Sequence, residues 1–186
     1  MIDPKIHDSS YSWFRLAITL TIAIFANTGM WAVITIMPAL EAEFVTSRAL
    51  TSLPFTFNMI GFAVGNLVIG VIIDRFGITI SIISAALLSG LAYLLSTQAD
   101  SIYFLSIVHL MLGFGCAAGF GPLITDISHW FLRRRGIAVA LTASGNYLAG
   151  AIWPALLSGV LATHGWREVY ILLAIITVVV IIPLAF

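Results

Sequence analysis

The chain has 186 residues, 61% hydrophobic and only 9% charged, with eight basic and eight acidic residues and a net charge of zero. So few charges cannot cover a water-soluble domain, where about 25% of residues are charged, and the composition specifies an integral membrane protein. Balanced charge leaves no footprint for nucleic acid, and the single cysteine, Cys116, excludes an internal disulfide framework and a Cys-based zinc site.

The opening MIDPKIHDSSYSWFR is polar and lacks a cleavage pattern, so residues 1–15 read as a cytosolic tail rather than a signal peptide. Apolar segments follow at 16–40, 50–73, 78–97, 102–130, 136–163 and 168–186. Each is long enough for a hydrocarbon core of about 30 Å, and each must be helical because lipid offers an unpaired backbone group no partner. The fold class is therefore all-α, a polytopic bundle of six transmembrane spans over residues 16–186, with short connections that make successive helices alternate in direction. Lys5, Arg15, Arg75, Arg133, Arg134 and Arg135 fall in the tail and even-numbered loops, against Arg48 and Arg167 in the odd-numbered loops. By the positive-inside rule the N-terminus is cytosolic, and a plasma or inner membrane is expected. The abrupt end at Phe186 suggests a piece of a longer protein.

In chain order, the first span carries Asn27, Thr28 and Trp31, and the second Asn58, Gly61, Gly65 and Asn66. Small residues four apart let membrane helices approach closely. The second span runs through Gly70 into Asp74, Arg75 and Gly77, a charged turn between two stretches without charge. Asp74 can cap the following helix, Arg75 can reach a phosphate or carboxylate, and Gly77 permits the reversal. The third and sixth spans carry almost nothing polar beyond Ser, Thr and Tyr, and read as lipid-facing. The fourth holds His109, a run of Gly and Ala from Gly113 to Gly121, and Asp126 with His129 three residues on. The fifth holds Asn146, Tyr147 and Pro154 and ends in GVLATHG, an echo of the GVIIDRFG that ends the second. Two three-helix units of opposite orientation, a 3+3 inverted repeat, would produce that echo.

Polar groups within a bilayer are costly and usually face a bundle interior or wet cavity. Asn27, Trp31, Asn58, His109, Asn146 and Tyr147 are therefore candidates for a substrate cavity lined by the first, second, fourth and fifth spans. His109 has two readings: a coupling or substrate group able to change charge near neutral pH, or a neutral histidine hydrogen-bonded in the packing. Asp126 and His129 are too few for a metal site, and Asp126 is expected to pair with Arg75 or an arginine of 133–135. No cofactor is expected.

The run from Gly70 through Asp74, Arg75 and Gly77 resembles the signature between helices two and three of the major facilitator superfamily, although Ile78 and Thr79 stand where a basic pair is usual. The segment His129 to Glu168 is similar to the same region of its monocarboxylate porter and oxalate/formate antiporter members. The matching residues include Trp130, Phe131, Arg134, Arg135, Gly136, Pro154, Gly165, Trp166 and Arg167. TIMPALEAEF, at the end of the first helix, extends the resemblance to nearly the whole chain. It implies the first six of about twelve helices of a secondary carrier working by alternating access, with a C-terminal six-helix half outside this chain. A small organic anion is the implied substrate, with a coupling proton or counter-anion. Gly70, Asp74, Arg75, Gly77, Asp126, Arg134 and Arg135 would form a cytosolic gate. Trp153-Pro154 departs from the Gly-Pro of drug exporters, and the first span lacks the lysine that animal monocarboxylate porters use. The rival readings are an integral-membrane enzyme using His109, Asp126 or His129, and a transport-inactive sensor or scaffold of the same fold.

Overall fold

The computed structural model describes residues 7–186; Lys5 lies outside them. Six helical spans are long and apolar enough to cross a membrane: span one Ser10–Glu43, span two Arg48–Phe76, span three Ile78–Ser96, span four Ile102–Ser128, span five Arg135–His164 and span six Trp166–Leu184. Span one starts ahead of the expected residue 16, because Ser9 caps it by accepting a hydrogen bond from the Ser12 amide at 3.3 Å. Ser10 to Arg15 are therefore helical rather than tail.

Span two is broken near its start, at Ser52 between Arg48–Thr51 and Leu53–Phe76, and two spans are broken well within their length. Span one consists of Ser10–Ala26 and Thr28–Glu43, meeting at Asn27. Span four consists of Ile102–Cys116, a 3-10 turn Ala117–Gly119, and Gly121–Ser128. A break frees backbone carbonyls and amides that lipid cannot satisfy, so other side chains must reach them.

The halves of the chain repeat. Ser101 caps span four as Ser9 caps span one, accepting from the Phe104 amide at 3.2 Å. Asn27 and Gly119, at the two breaks, stand 92 residues apart. Gly77 joins spans two and three with φ 83° and ψ 166°, and Gly165 joins spans five and six with φ 85° and ψ 175°. Only glycine populates that region freely. At each junction the glycine amide closes the preceding helix, on Ile73 O at 2.8 Å and Leu161 O at 3.1 Å, and the next residue begins the next helix. The two sequence echoes thus mark one backbone device used twice. Span two lies on span four, span five lies on span one, and spans three and six pair with each other, which is the 3+3 inverted arrangement.

Small residues permit the closest contacts. A Cβ on Gly61 would strike the Leu110 carbonyl, and one on Gly113 would strike the carbonyl of Asn58, so spans two and four touch backbone to backbone. Spans three and six meet through Tyr93 and Tyr170, with ring centroids 5.5 Å apart. The largest apolar cluster runs from Ile36 and Leu40 through Leu105 and Leu112 to Leu157 and Leu173.

Spans two and five, not three and six, are the least buried. Span two turns Ile60, Val64, Leu67 and Val71 outward, and span five turns out Ile137, Tyr147, Ile152 and Leu156. Spans three and six also keep outward apolar faces, with Leu87 and Leu91 on one and Ile175 and Val179 on the other. Span three buries a second face of Ser81, Ala85, Ser89, Ala92 and Tyr93.

Candidate functional site

The side-chain amides of spans one and two bond backbone groups at or beside the breaks. Asn27 is fully buried, and its Nδ2 donates to Ala23 O at 2.8 Å and across the bundle to Gly119 O at 3.0 Å. Asn58, also fully buried, donates to Gly29 O at 3.1 Å, two residues past the first break. Asn66 Oδ1 accepts from the Gly121 amide at 3.3 Å, just past the second. These asparagines brace two interrupted helices. Asn27 Oδ1 and Asn58 Oδ1 are buried without a partner, so each side chain has one acceptor to spare.

Spans one and five are stapled by tryptophans. Trp31 Nε1 donates to Asn146 O at 2.8 Å and approaches Asn146 Oδ1 at 3.2 Å, and Trp153 Nε1 donates to Ile24 O at 3.1 Å. Gly150 makes room for the Trp31 ring. Tyr147, one residue from Asn146, is 69% exposed on the outward face of span five. His109 stands apart, facing span six. Its Nδ1 lies 2.8 Å from Leu105 O, which can only accept, so Nδ1 carries the proton and Nε2 accepts from Tyr170 OH at 2.8 Å. Both ring nitrogens are thus engaged within the packing. Of the six cavity candidates, the fold brings together Trp31 and Asn146, leaves Tyr147 on the outward face of span five, and turns Asn27, Asn58 and His109 into the bundle.

At the basic end, a hollow of about 340 Å³ lies between spans two and four and the start of span three. Gly70, Asp74, Asp126 and His129 line it together with Asn66. Asp74 sits within the last turn of span two, and no side chain caps span three, whose N-cap is Gly77. The expected helix cap by Asp74 is therefore not made, because two further helical residues, Arg75 and Phe76, separate it from that N-cap. Asp126 pairs with Arg15 at 3.5 Å rather than with Arg75 or an arginine of 133–135. Arg75 lies over Phe76. Arg134 reaches toward the Trp13 ring, and Arg135 Nε donates to Phe131 O at 3.2 Å.

Sequence reasoning missed two polar clasps. Asp8 accepts from the amides of Leu132, Arg133 and Arg134 at 3.0–3.1 Å, tying the start of span one to the loop before span five. Those amides, that of Arg133 foremost, hold its carboxyl below the usual value. At the opposite end, Glu43 accepts from Trp166 Nε1 at 2.6 Å and pairs with Arg167 at 2.6 Å, while Arg167 also donates to Thr97 O and Ala99 O. No local signal could reveal either clasp, since the partners are 68 to 126 residues apart. Among the described residues no three His, Cys, Asp or Glu side chains group as metal ligands.

The major facilitator superfamily model matches residues 19–186. Among curated proteins, the chain is 33% identical over 104 residues to the MFS-type transporter pytF of Aspergillus terreus, covering 55% of this chain and 35% of that protein. It is 28% identical over 141 residues to the probable sulfoacetate transporter SauU of Cupriavidus necator, covering 75% and 33% respectively. It is 33% identical over 109 residues to human monocarboxylate transporter 11, covering 55% and 22%. The matches thus span about a fifth to a third of the length of these relatives.

Proposed function

Because the chain belongs to the major facilitator superfamily, we propose that it is the N-terminal six-helix half of a secondary carrier that moves a small organic anion by alternating access. The observation that carries this reading is the family match over residues 19–186, falling on a six-span bundle with two inverted three-helix units. Carboxylate or sulfonate substrates are favoured by the relatives named for monocarboxylates and sulfoacetate. Transport, rather than the enzymatic reading, is favoured because His109 is locked to Leu105 and Tyr170, apart from Asp126 and His129.

In this reading the basic end faces the cytosol. The exposed faces of spans two and five meet the second half, and the hollow holding Asp74 is where the two halves meet when the cytosolic side is closed. Trp31 and Asn146 form part of the wall against which the anion passes. Any fixed positive charge opposite it comes from the second half.

The test is uptake of labelled lactate and sulfoacetate into liposomes by the full-length protein. Saturable uptake that other carboxylates compete for is expected, and uptake no faster than in empty liposomes would sink the proposal. Asp74→Asn should lower uptake at least tenfold while membrane abundance is unchanged; normal uptake would reduce Asp74 to a turn residue. Labelling from the cytosol at Arg134→Cys, and from outside at Asp100→Cys, checks the orientation.

A further inference from the structure

Trp31 and Asn146 do more than hold spans one and five together, because their contact also fixes which way an amide faces. An indole N–H can only donate, so the Asn146 atom 3.2 Å from Trp31 Nε1 is the oxygen, Oδ1, and the NH2 is turned away from the ring nitrogen. The shorter bond, at 2.8 Å, goes to the Asn146 backbone carbonyl and does not depend on the side chain at this position. Nδ2 donates to no acceptor among the described residues. Asn146 is partly exposed, and its free N–H pair, unlike Asn27 Oδ1 and Asn58 Oδ1, is not sealed in the packing.

Asn146 lies eleven residues past Arg135 on span five, about 16 Å of helix, close to the middle of a hydrocarbon core of about 30 Å. Lipid offers no acceptor there, so the free N–H pair calls for water or a ligand oxygen. No acidic or basic residue stands on span one between Arg15 and Glu41, or on span five between Arg135 and His164. The hydroxyls of Thr28, Thr35 and Ser144 are spent on carbonyls of their own helices. On the reading of this chain as half of a carrier, we propose that Asn146 is its oxyanion-selecting donor. Its NH2 bonds an oxygen of the carboxylate or sulfonate near the midplane. Trp31 is the positioning residue: with the indole holding Oδ1, the amide cannot turn over and present an oxygen that would repel the anion.

The experiment is concentration-dependent uptake of labelled lactate and sulfoacetate by the full-length protein in liposomes. Wild-type uptake no faster than in empty liposomes removes the carrier reading and this proposal with it; every other outcome bears on Asn146 and Trp31 alone. Asn146→Leu should raise KM for both anions about tenfold, the weight of one hydrogen bond to a charged group, with the maximal rate within about twofold. Asn146→Asp has the same outline and still accepts from Trp31, so it carries the test if the leucine variant does not fold, and its negative charge should raise KM further. Trp31→Phe keeps a ring against Gly150 but frees the amide, and should raise KM about threefold. Made on top of Asn146→Leu, it should change KM no further. Wild-type KM in either Asn146 variant overturns the proposal, as does a fall in maximal rate with KM unchanged. So does a Trp31→Phe effect as large in the Asn146→Leu background as in the wild type, which would make the tryptophan a packing residue.

Discussion

The two glycine junctions share a backbone and differ in everything around it. Gly77 and Gly165 have the same left-handed φ, the same helix-closing bond and the same one-residue link. Beyond Gly165, Trp166 and Arg167 are bound to Glu43, Thr97 and Ala99, so one end of the bundle is closed by the chain itself. Before Gly77, Asp74 and Arg75 are exposed, and Asp74 has no hydrogen bond or ion pair among the described residues. Repeating a fold element does not repeat its role. The glycines set the reversal, and the neighbouring charges decide whether that junction is tied to the rest of the bundle or left exposed.

The sharpest way to break the comparison is at the glycines themselves. Gly77→Val and Gly165→Val should each destabilise the protein by about 3 kcal/mol, the upper part of the 1–3 range for a residue forced into this region, and by similar amounts. Denaturant titration of the two variants checks this; a large difference would mean that the junctions are not equivalent backbones. Next in size is Arg167→Gln, which removes an ion pair and two bonds to loop carbonyls and should cost about 1.5–2 kcal/mol. Arg75→Gln, its counterpart at the open junction, should stay within about 0.5 kcal/mol. Equal losses from these two arginines would erase the contrast.

The smallest effect concerns the tail clasp. Backbone amides lower the folded-state value of the Asp8 carboxyl, so the tether is fully present above the unfolded value, near 3.8, and is lost as pH falls through the lower folded one. A spin label at Ser10→Cys should be immobile at pH 7 and become mobile only below about pH 3.8. Asp8→Ala should be mobile throughout.

Much of this was legible in the sequence. Six apolar runs, their alternation, the junction glycines and the close-packing small residues follow from length, charge and spacing, because bilayer thickness and backbone contact set them directly. The helix break at Asn27 was not legible, whereas the Gly121-Pro122 pair marks the helix start after the break in span four. No proline stands at Asn27, and an asparagine in an apolar span reads equally as a cavity wall or as a brace. Asn27, Asn58 and Asn66 proved to be bonded to backbone at or beside the breaks. His109 left two readings open for the same reason, and only Tyr170, 61 residues on, shows where its second nitrogen goes. Arg15 with Asp126, and Glu43 with Arg167, pair across separations that no local pattern encodes.

The bond from Asn27 to Gly119 has a consequence for the order in which the chain is made. Ribosomes add roughly 5–20 residues per second, so Gly119 follows Asn27, 92 residues earlier, by about 5–18 seconds. Through that interval the first span is already emerging, and its amide has only Ala23 O within its own helix. Until span four arrives, the break in span one rests on local bonds alone, those of Asn27 to Ala23 O and of the Thr28 hydroxyl to Ile24 O and Phe25 O. The contact that ties it across the bundle forms only after the second repeat has begun.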